Sequence, residues 1–348
     1  MAKKGMSKAQ IKGLLRNHAS TCGWALCVGA GISKPAFPDW AELVGRLAKR
    51  DSLTAIPAVS RLQGRFSPDA LIQAAMDRLK LTPDQFAPVL ADELYSDIRA
   101  AVTTKEWKLI GRALTSAHIG SMTGPMWTQF LDLVRKYFPS LTALDIATWL
   151  ANTTQGKFAP KAFLSFNAEP LLPALVNANI AVTRGTTGGD VLNYVVHVSS
   201  DVRSGRIPYF FCHGLLPVPG TRHHSLSSVD KLVFLEDAYL QLANTAFSWQ
   251  SASFLRVAIE SSIVFVGVSL TDPNMRRWLS WVHAARVAEL TEAGNAAPVS
   301  TSHYWISKTP GDTDTERWTE SLVGHLGVRL IWVADYKDVG STLELMLS

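Results

Sequence analysis

The chain has 348 residues, 47% of them apolar and 18% charged, the composition of a well-filled globular protein rather than a disordered one. That length is more than a minimal single core needs and short for three domains. No apolar run reaches the roughly 18 residues a membrane helix needs, so no membrane partner is expected. The net charge of +5 is too modest to support direct nucleic-acid binding by itself.

The charge is uneven. No acidic residue precedes Asp39, whereas Lys3, Lys4, Lys8, Lys12, Arg16 and Lys34 all lie before it. A basic, acid-poor start resembles a transit peptide, but the first core strand begins at Trp24 and leaves no room for a disposable segment. The expectation is a first helix with a solvated basic face and a buried stripe of Ile11, Leu14 and Leu15. The cysteines, Cys22, Cys27 and Cys212, show no C-x-x-C spacing. A structural zinc needs four ligands, usually in close pairs, so no zinc or other metal site is expected. With no secretory signal, a reducing cytoplasm is the expected location.

The apolar run Trp24 to Val28 predicts a buried strand. It enters Gly29-Ala30-Gly31-Ile32-Ser33, and after Pro38-Asp39-Trp40 a helix is predicted through Leu43 and Leu47. Glycines after a strand let the backbone turn sharply and approach a phosphate. Strand, glycine-rich turn and helix open a dinucleotide-binding α/β domain. The third glycine of G-x-G-x-x-G is replaced by Lys34, and G-A-G alone fits a plain tight turn equally well.

Residues 41 to 155 show no convincing strand. Apolar residues recur at helical spacing in Ala70-Leu71-Ala74-Ala75-Leu79, in Phe86-Leu90-Leu94-Ile98 and in Phe130-Leu131-Val134. Pro68, Pro83, Pro125 and Pro139 divide the series. This predicts a helical insertion between the first two strands of the sheet, with Trp107 and Trp127 in its core.

Ala162 to Phe166 predicts the second strand, with Asn167 at its end and Glu169-Pro170 opening a helix. Taken alone, Asn167 reads as an N-cap. Its place at the carboxyl end of a sheet strand is also where α/β folds bind ligands. Short strands are expected near Ile180 to Val182 and Tyr194 to Val198. Pro208 to His213 repeats the pattern of apolar strand then polar residue, with His213 before Gly214. His223 and His224 read as solvated loop residues. Ile263 to Val266 is a continuous apolar run, as in a central parallel strand, and leads into Gly267-Val268-Ser269-Leu270-Thr271-Asp272-Pro273-Asn274. Asp272 also suits an N-cap with Pro273 at the first helical position. Strands at His303 to Ile306 and Val328 to Val333, a turn at Gly324 to Gly327, and a helix from Val339 to Leu347 complete the chain. There is no internal repeat and no low-complexity linker.

Four stretches in order carry a family resemblance. GAGIS followed by PDW resembles the first motif of sirtuin-like NAD-binding domains. The F-N strand end and H-G at His213 resemble the next two. The run Val233-Phe234-Leu235-Glu236-Asp237-Ala238-Tyr239 resembles the L-x-x-x-D/E-Y segment of the bacterial branch, as does G-x-S-L-x-D-P-N. The resemblance spans 24 to 40, 162 to 170, 209 to 217 and 232 to 336, and is to prokaryotic sirtuin-like proteins of anti-phage defence. It implies an α/β fold: a Rossmann-like parallel sheet flanked by helices, formed by 1–40 with 156–348, and a helical insertion over 41–155.

The resemblance further implies NAD+ as substrate and NAD+ hydrolysis as the activity. The implied binding set is Gly29, Ala30, Gly31, Ile32, Ser33, Asp39, Trp40, Asn167, Gly267, Ser269 and Asp272, and the implied catalytic pair is Asn167 and His213. Cleaving the nicotinamide–ribose bond passes through an oxocarbenium-like state. The leaving group is already cationic, so no general acid is needed. The glycine loop would hold the pyrophosphate, Asn167 would orient ribose and water, and His213 would act as general base, a role that suits histidine's ordinary pKa of ~6.5. Glu169 takes a supporting place. The zinc module of deacylating sirtuins is absent and the helical insertion replaces it, which disfavours a deacylase. A non-catalytic sensor of NAD or ADP-ribose that signals by assembly remains the alternative. Control of such a hydrolase implies a homo-oligomer or a separately encoded partner, such as a translocase ATPase.

Overall fold

The computed structural model describes residues 6–51, 56–154, 156, 158–187, 189–197, 205–221, 233–244, 248–294 and 302–348. Among these, seven strands form one sheet: β1 Trp24–Val28, β2 Ala162–Ser165, β3 Leu192–Val195, β4 Ile207–Phe211, β5 Ser262–Val266, β6 His303–Lys308 and β7 Val328–Val333. Their order is β3-β4-β2-β1-β5-β6-β7, and every neighbouring pair is parallel. β1 and β5 are buried at all their positions, because central parallel strands are covered on both faces.

After β1 the chain builds β2, β3 and β4 on one side, then crosses to build β5, β6 and β7 on the other. The switch point between β1 and β5 is where open α/β sheets form their ligand crevice. The register pairs Val28 with Ser165 and with Val266, and Ser165 with Phe211. The segments that follow β4, β2, β1 and β5 therefore leave the sheet on one rim.

A large helical insertion follows β1, as the spacing predicts. Pro68 and Pro83 occupy first helical turns, as does Pro125 in the helix Gly124–Tyr137. There the missing N–H of proline costs nothing. Trp127 is fully buried and its indole donates to the Ile119 carbonyl at 2.9 Å. Trp107 is only half-buried, and its indole reaches the Pro219 carbonyl, past the end of β4. The helix Thr142–Thr153 packs on Leu171–Arg184 and Val339–Leu347. One buried cluster therefore runs from Trp24 and Leu26 through Leu90, Trp127 and Ile146 to Leu172 and Val176.

Three expectations are corrected. Ile180 to Val182 is not a strand but the end of the helix Leu171–Arg184. Its β-branched residues are held helical by a segment buried from Leu171 to Ala181, and tertiary packing outweighs propensity. The next strand is Leu192–Val195 rather than Tyr194 to Val198; Val198, like His223 and His224, lies outside the described residues. The basic N-terminal stretch is two short helices, Lys8–Ile11 and Arg16–Ser20, parted at Gly13 with φ 72°. The Gly13 and Leu15 N–H groups bond the carbonyls of Leu345 and Met346, which lie in the last turn of a helix and lack partners within it. Ile11 and Leu15 are buried and Leu14 is half-buried. No helix among the described residues is long and apolar enough to cross a membrane.

Candidate functional site

At the switch point the loops after β1 and β5 touch backbone to backbone. The Gly29 N–H donates to the Val266 carbonyl at 3.2 Å and the Gly31 N–H to the Gly267 carbonyl at 3.0 Å. A Cβ on Gly29 would lie 2.6 Å from the Gly267 oxygen, and one on Gly267, whose φ is +66°, would lie 2.6 Å from the Ile32 nitrogen. The glycines are thus required by the contact between the loops, whatever binds beside them. The N–H groups of Ile32 and Ser33 close a short turn onto Gly29 and Ala30. Ile32 itself is fully buried in the core.

Two adjoining spaces open on this rim. The larger, about 560 Å³, is lined by Gly29, Ala30, Gly31, His213, Gly267 and Asp272, among others. The smaller, about 30 Å³, is bounded by Ser33, Asn167 and Glu169. It has room for a water but not for a ring. Ala30, Asp39, Trp40 and Phe166 line both. The insertion adds Ser67, Pro68 and Asp69 to the larger space, a contribution that nothing in the local sequence signals.

Asn167 lies two residues beyond β2 and is not an N-cap. The helix starts at Leu171, and it is Glu169 Oε2 that accepts the Leu171 N–H at 2.5 Å. The Asn167 amide donates instead to Glu169 Oε1 at 3.1 Å and to Ser33 Oγ at 3.3 Å. The Ser33 hydroxyl donates to Glu169 Oε1 at 2.5 Å. All three residues are buried. Burial pushes the Glu169 carboxyl up to about 7, while the bonds from Ser33, Leu171 and Asn167 pull the other way. Asn167 Oδ1 is buried and has no hydrogen-bond partner.

His213 lies two residues beyond β4, the neighbour of β2 on the same rim. Its ring is boxed by Phe166 at 4.9 Å, Trp40 at 6.0 Å and Phe234 at 6.1 Å between centroids. Its Nε2 is 3.1 Å from Tyr239 Oη, which is 3.1 Å from Asp272 Oδ2. The other carboxylate oxygen of Asp272 caps the helix Pro273–Glu292, accepting the N–H groups of Asn274 and Met275. Burial would raise the Asp272 carboxyl, but His213 and the two backbone N–H groups more than offset it and hold the pKa below the usual range. His213 Nδ1 is buried with no partner.

The remaining sequence candidates divide. Asp39 caps the helix Trp40–Arg50 and pairs with Lys34 at 2.7 Å, so the lysine in the third glycine's place faces an acid. Trp40 stacks at a tilt on Phe234, 5.0 Å away. Ser269 is exposed at the mouth, its hydroxyl 2.7 Å from that of Thr271. Burial raises Cys212 to about 12, which leaves its thiol unreactive. Sequence reasoning missed Tyr239 as a site residue. Its segment was visible as a motif, but its bond to a histidine 26 positions away exists only in the fold. Among the described residues, no group of three or more His, Cys, Asp or Glu is placed to hold a metal ion.

A family model for the SIR2-like domain matches residues 171–328. A SIR2-like domain is thus present over part of the chain. No curated protein matches the chain. The SIR2-like match takes in His213, Tyr239, Gly267, Ser269 and Asp272. It begins after Asn167 and leaves Gly29 to Ser33 outside, although the fold packs that loop directly on Gly267. The parallel sheet, with its insertion after β1, matches a Rossmann-like sirtuin fold. A SIR2-like domain on this fold implies involvement of NAD.

Proposed function

We propose that this chain is an NAD+ glycohydrolase, cleaving NAD+ with water into nicotinamide and ADP-ribose. The observation that carries this reading is a pair of buried polar atoms without partners, Asn167 Oδ1 and His213 Nδ1, beyond the adjacent ends of β2 and β4, on the rim beside the switch point. A buried polar atom left unpaired costs ~1–3 kcal/mol, and such atoms are tolerated where a ligand completes them. A cavity of about 560 Å³ falls in the usual range for small-molecule sites.

In this reading the pyrophosphate crosses the loop Gly29 to Ser33, along the wall of the larger cavity that Gly29, Ala30 and Gly31 line. The adenosine ribose lies against Gly267 and Ser269, and Asp39 and Trp40 close the nicotinamide side. Asn167 accepts from the ribose or from the attacking water, and His213 takes the water's proton as the C1′–O bond forms. The C1′–N bond breaks with its electron pair leaving on neutral nicotinamide, so no acid is required at the leaving group. Glu169 and Ser33 hold the Asn167 amide in place.

Such a hydrolase would deplete NAD+ in its own host. It is therefore suited to abortive-infection defence in the cytoplasm, held in check by self-assembly or by a separately encoded partner such as a translocase ATPase. The division into 1–40 with 156–348, and 41–155, belongs to the same reading, with the insertion in the place of a zinc module.

The test is nicotinamide release from NAD+ by the purified chain. His213→Ala and Asn167→Ala are each expected to lose ~10²–10⁴-fold, the usual share of one positioned catalytic group. Tight NAD+ or ADP-ribose binding without any release would replace the hydrolase with a nucleotide sensor.

A further inference from the structure

His213 has two ring nitrogens, and only one can carry the proton in the neutral base. The bonds around it decide which. Asp272 Oδ1 accepts two backbone N–H groups at the start of a helix, so this side chain is fixed as an acceptor at the positive end of the helix dipole. The oxygen it turns to Tyr239 is Oδ2. A carboxylate can only accept, and a phenol has a single proton. Tyr239 must therefore donate to Asp272, and its oxygen must accept from His213 Nε2. The proton then sits on Nε2 and the lone pair on Nδ1.

The unpartnered atom agrees with this direction. His213 Nδ1 is buried without a partner. Buried acceptors without partners are tolerated more often than buried donors. The alternative tautomer would bury an unpaired N–H and leave Tyr239 unable to satisfy both neighbours.

Building on the hydrolase reading, we infer that Tyr239 and Asp272 are positioning residues that lock His213 as the Nε2–H tautomer and present Nδ1 as the nitrogen that receives the proton. When Nδ1 takes a proton from water, the imidazolium keeps its Nε2–H on Tyr239, and Tyr239 keeps its proton on Asp272. No proton moves along the relay. Asp272 Oδ2, 3.8 Å from Nε2, stabilises the charge that forms, as the buried aspartate does in serine-protease triads.

The experiment is ¹⁵N NMR of the full chain carrying ¹⁵N-labelled histidine, with the nine histidines reduced to one assignment by the signal lost in His213→Asn. At mildly alkaline pH the wild type is expected to show a protonated Nε2 and a bare Nδ1. Asp272→Asn keeps the cap, because asparagine caps as well as aspartate, but it turns an amide donor toward Tyr239. The relay then reverses, the tautomer inverts to Nδ1–H, and kcat for nicotinamide release falls at least ~10²-fold, the pattern of a base held in the wrong tautomer. Tyr239→Phe should give mixed tautomers and lose at least ~10-fold in kcat. A bare Nε2 in the wild type, or a tautomer unmoved by both substitutions, overturns the inference. The tautomer is read without turnover, so a wild type that releases no nicotinamide defeats the hydrolase reading while the relay is still decided by the spectra.

Discussion

The side-chain amide of Asn167 donates to the carboxyl group of Glu169 at 3.1 Å, within a pocket where both residues and Ser33 are buried. This one bond separates two roles for the asparagine. A capping residue would be interchangeable with aspartate, but a donor to a buried carboxylate is not.

Asn167→Asp is therefore expected to lose stability as well as turnover. It would set a second carboxyl against Glu169 and remove the donor that Glu169 and Ser33 share. Like charges in one buried site oppose ionisation of both. We expect a loss of about 2 kcal/mol or more in urea unfolding at pH 8, a smaller loss at pH 5, and nicotinamide release down by at least ~10²-fold. Wild-type stability at both pH values would mean that the bond from Asn167 to Glu169 contributes nothing to the fold.

Glu169 gives a pH dependence with a definite sign. Its carboxyl rises on folding from 4.5 to about 7, so the folded chain binds a proton more tightly than the unfolded chain does. Its contribution to stability is complete below pH 4.5 and is lost as pH rises through 7. The loss amounts to about 3 kcal/mol at most. Glu169→Gln should remove this slope. The unfolding free energy of the variant relative to wild type should rise between pH 5 and pH 8, and a flat difference would show that Glu169 is ionised throughout.

The glycine contact predicts opposite signs for one substitution at two places. Gly267→Ala forces an L-residue into φ +66° with its Cβ 2.6 Å from the Ile32 nitrogen, and should cost ~2 kcal/mol or more. Gly45→Ala lies within the helix Trp40–Arg50, and the added Cβ meets nothing within 4 Å. It should stabilise by ~0.5–1 kcal/mol. Urea midpoints of the two variants check both, and a Gly267→Ala protein as stable as wild type would mean the loops do not interlock as described.

Ser269 is exposed at the mouth of the cavity, so its removal should leave folding alone. Ser269→Ala is expected to raise KM for NAD+ several-fold with kcat little changed, the sign of a contact made equally in ground and transition states. An unchanged KM would take the adenosine ribose away from this turn.

Much of the architecture is local information. β1 and β5 are legible because a strand covered on both faces must be apolar throughout. Asp272 is legible as a cap because a carboxylate just before a proline at the first helical position has one obvious use. Asn167 and His213 stand out because a polar residue just beyond an apolar strand marks the sheet's rim.

The sites' connections are not local, and only the tertiary structure decided them. Ser33 meets Glu169 across 136 positions, Tyr239 joins His213 to Asp272, and Pro68 reaches the cavity from the insertion. The stretch Ile180 to Val182 has strand-like residues but is helical because its neighbours bury it. Propensity and capping act over one turn of chain, whereas burial, hydrogen-bond pairing and the pKa of Glu169 depend on which distant segments the parallel sheet brings to one edge.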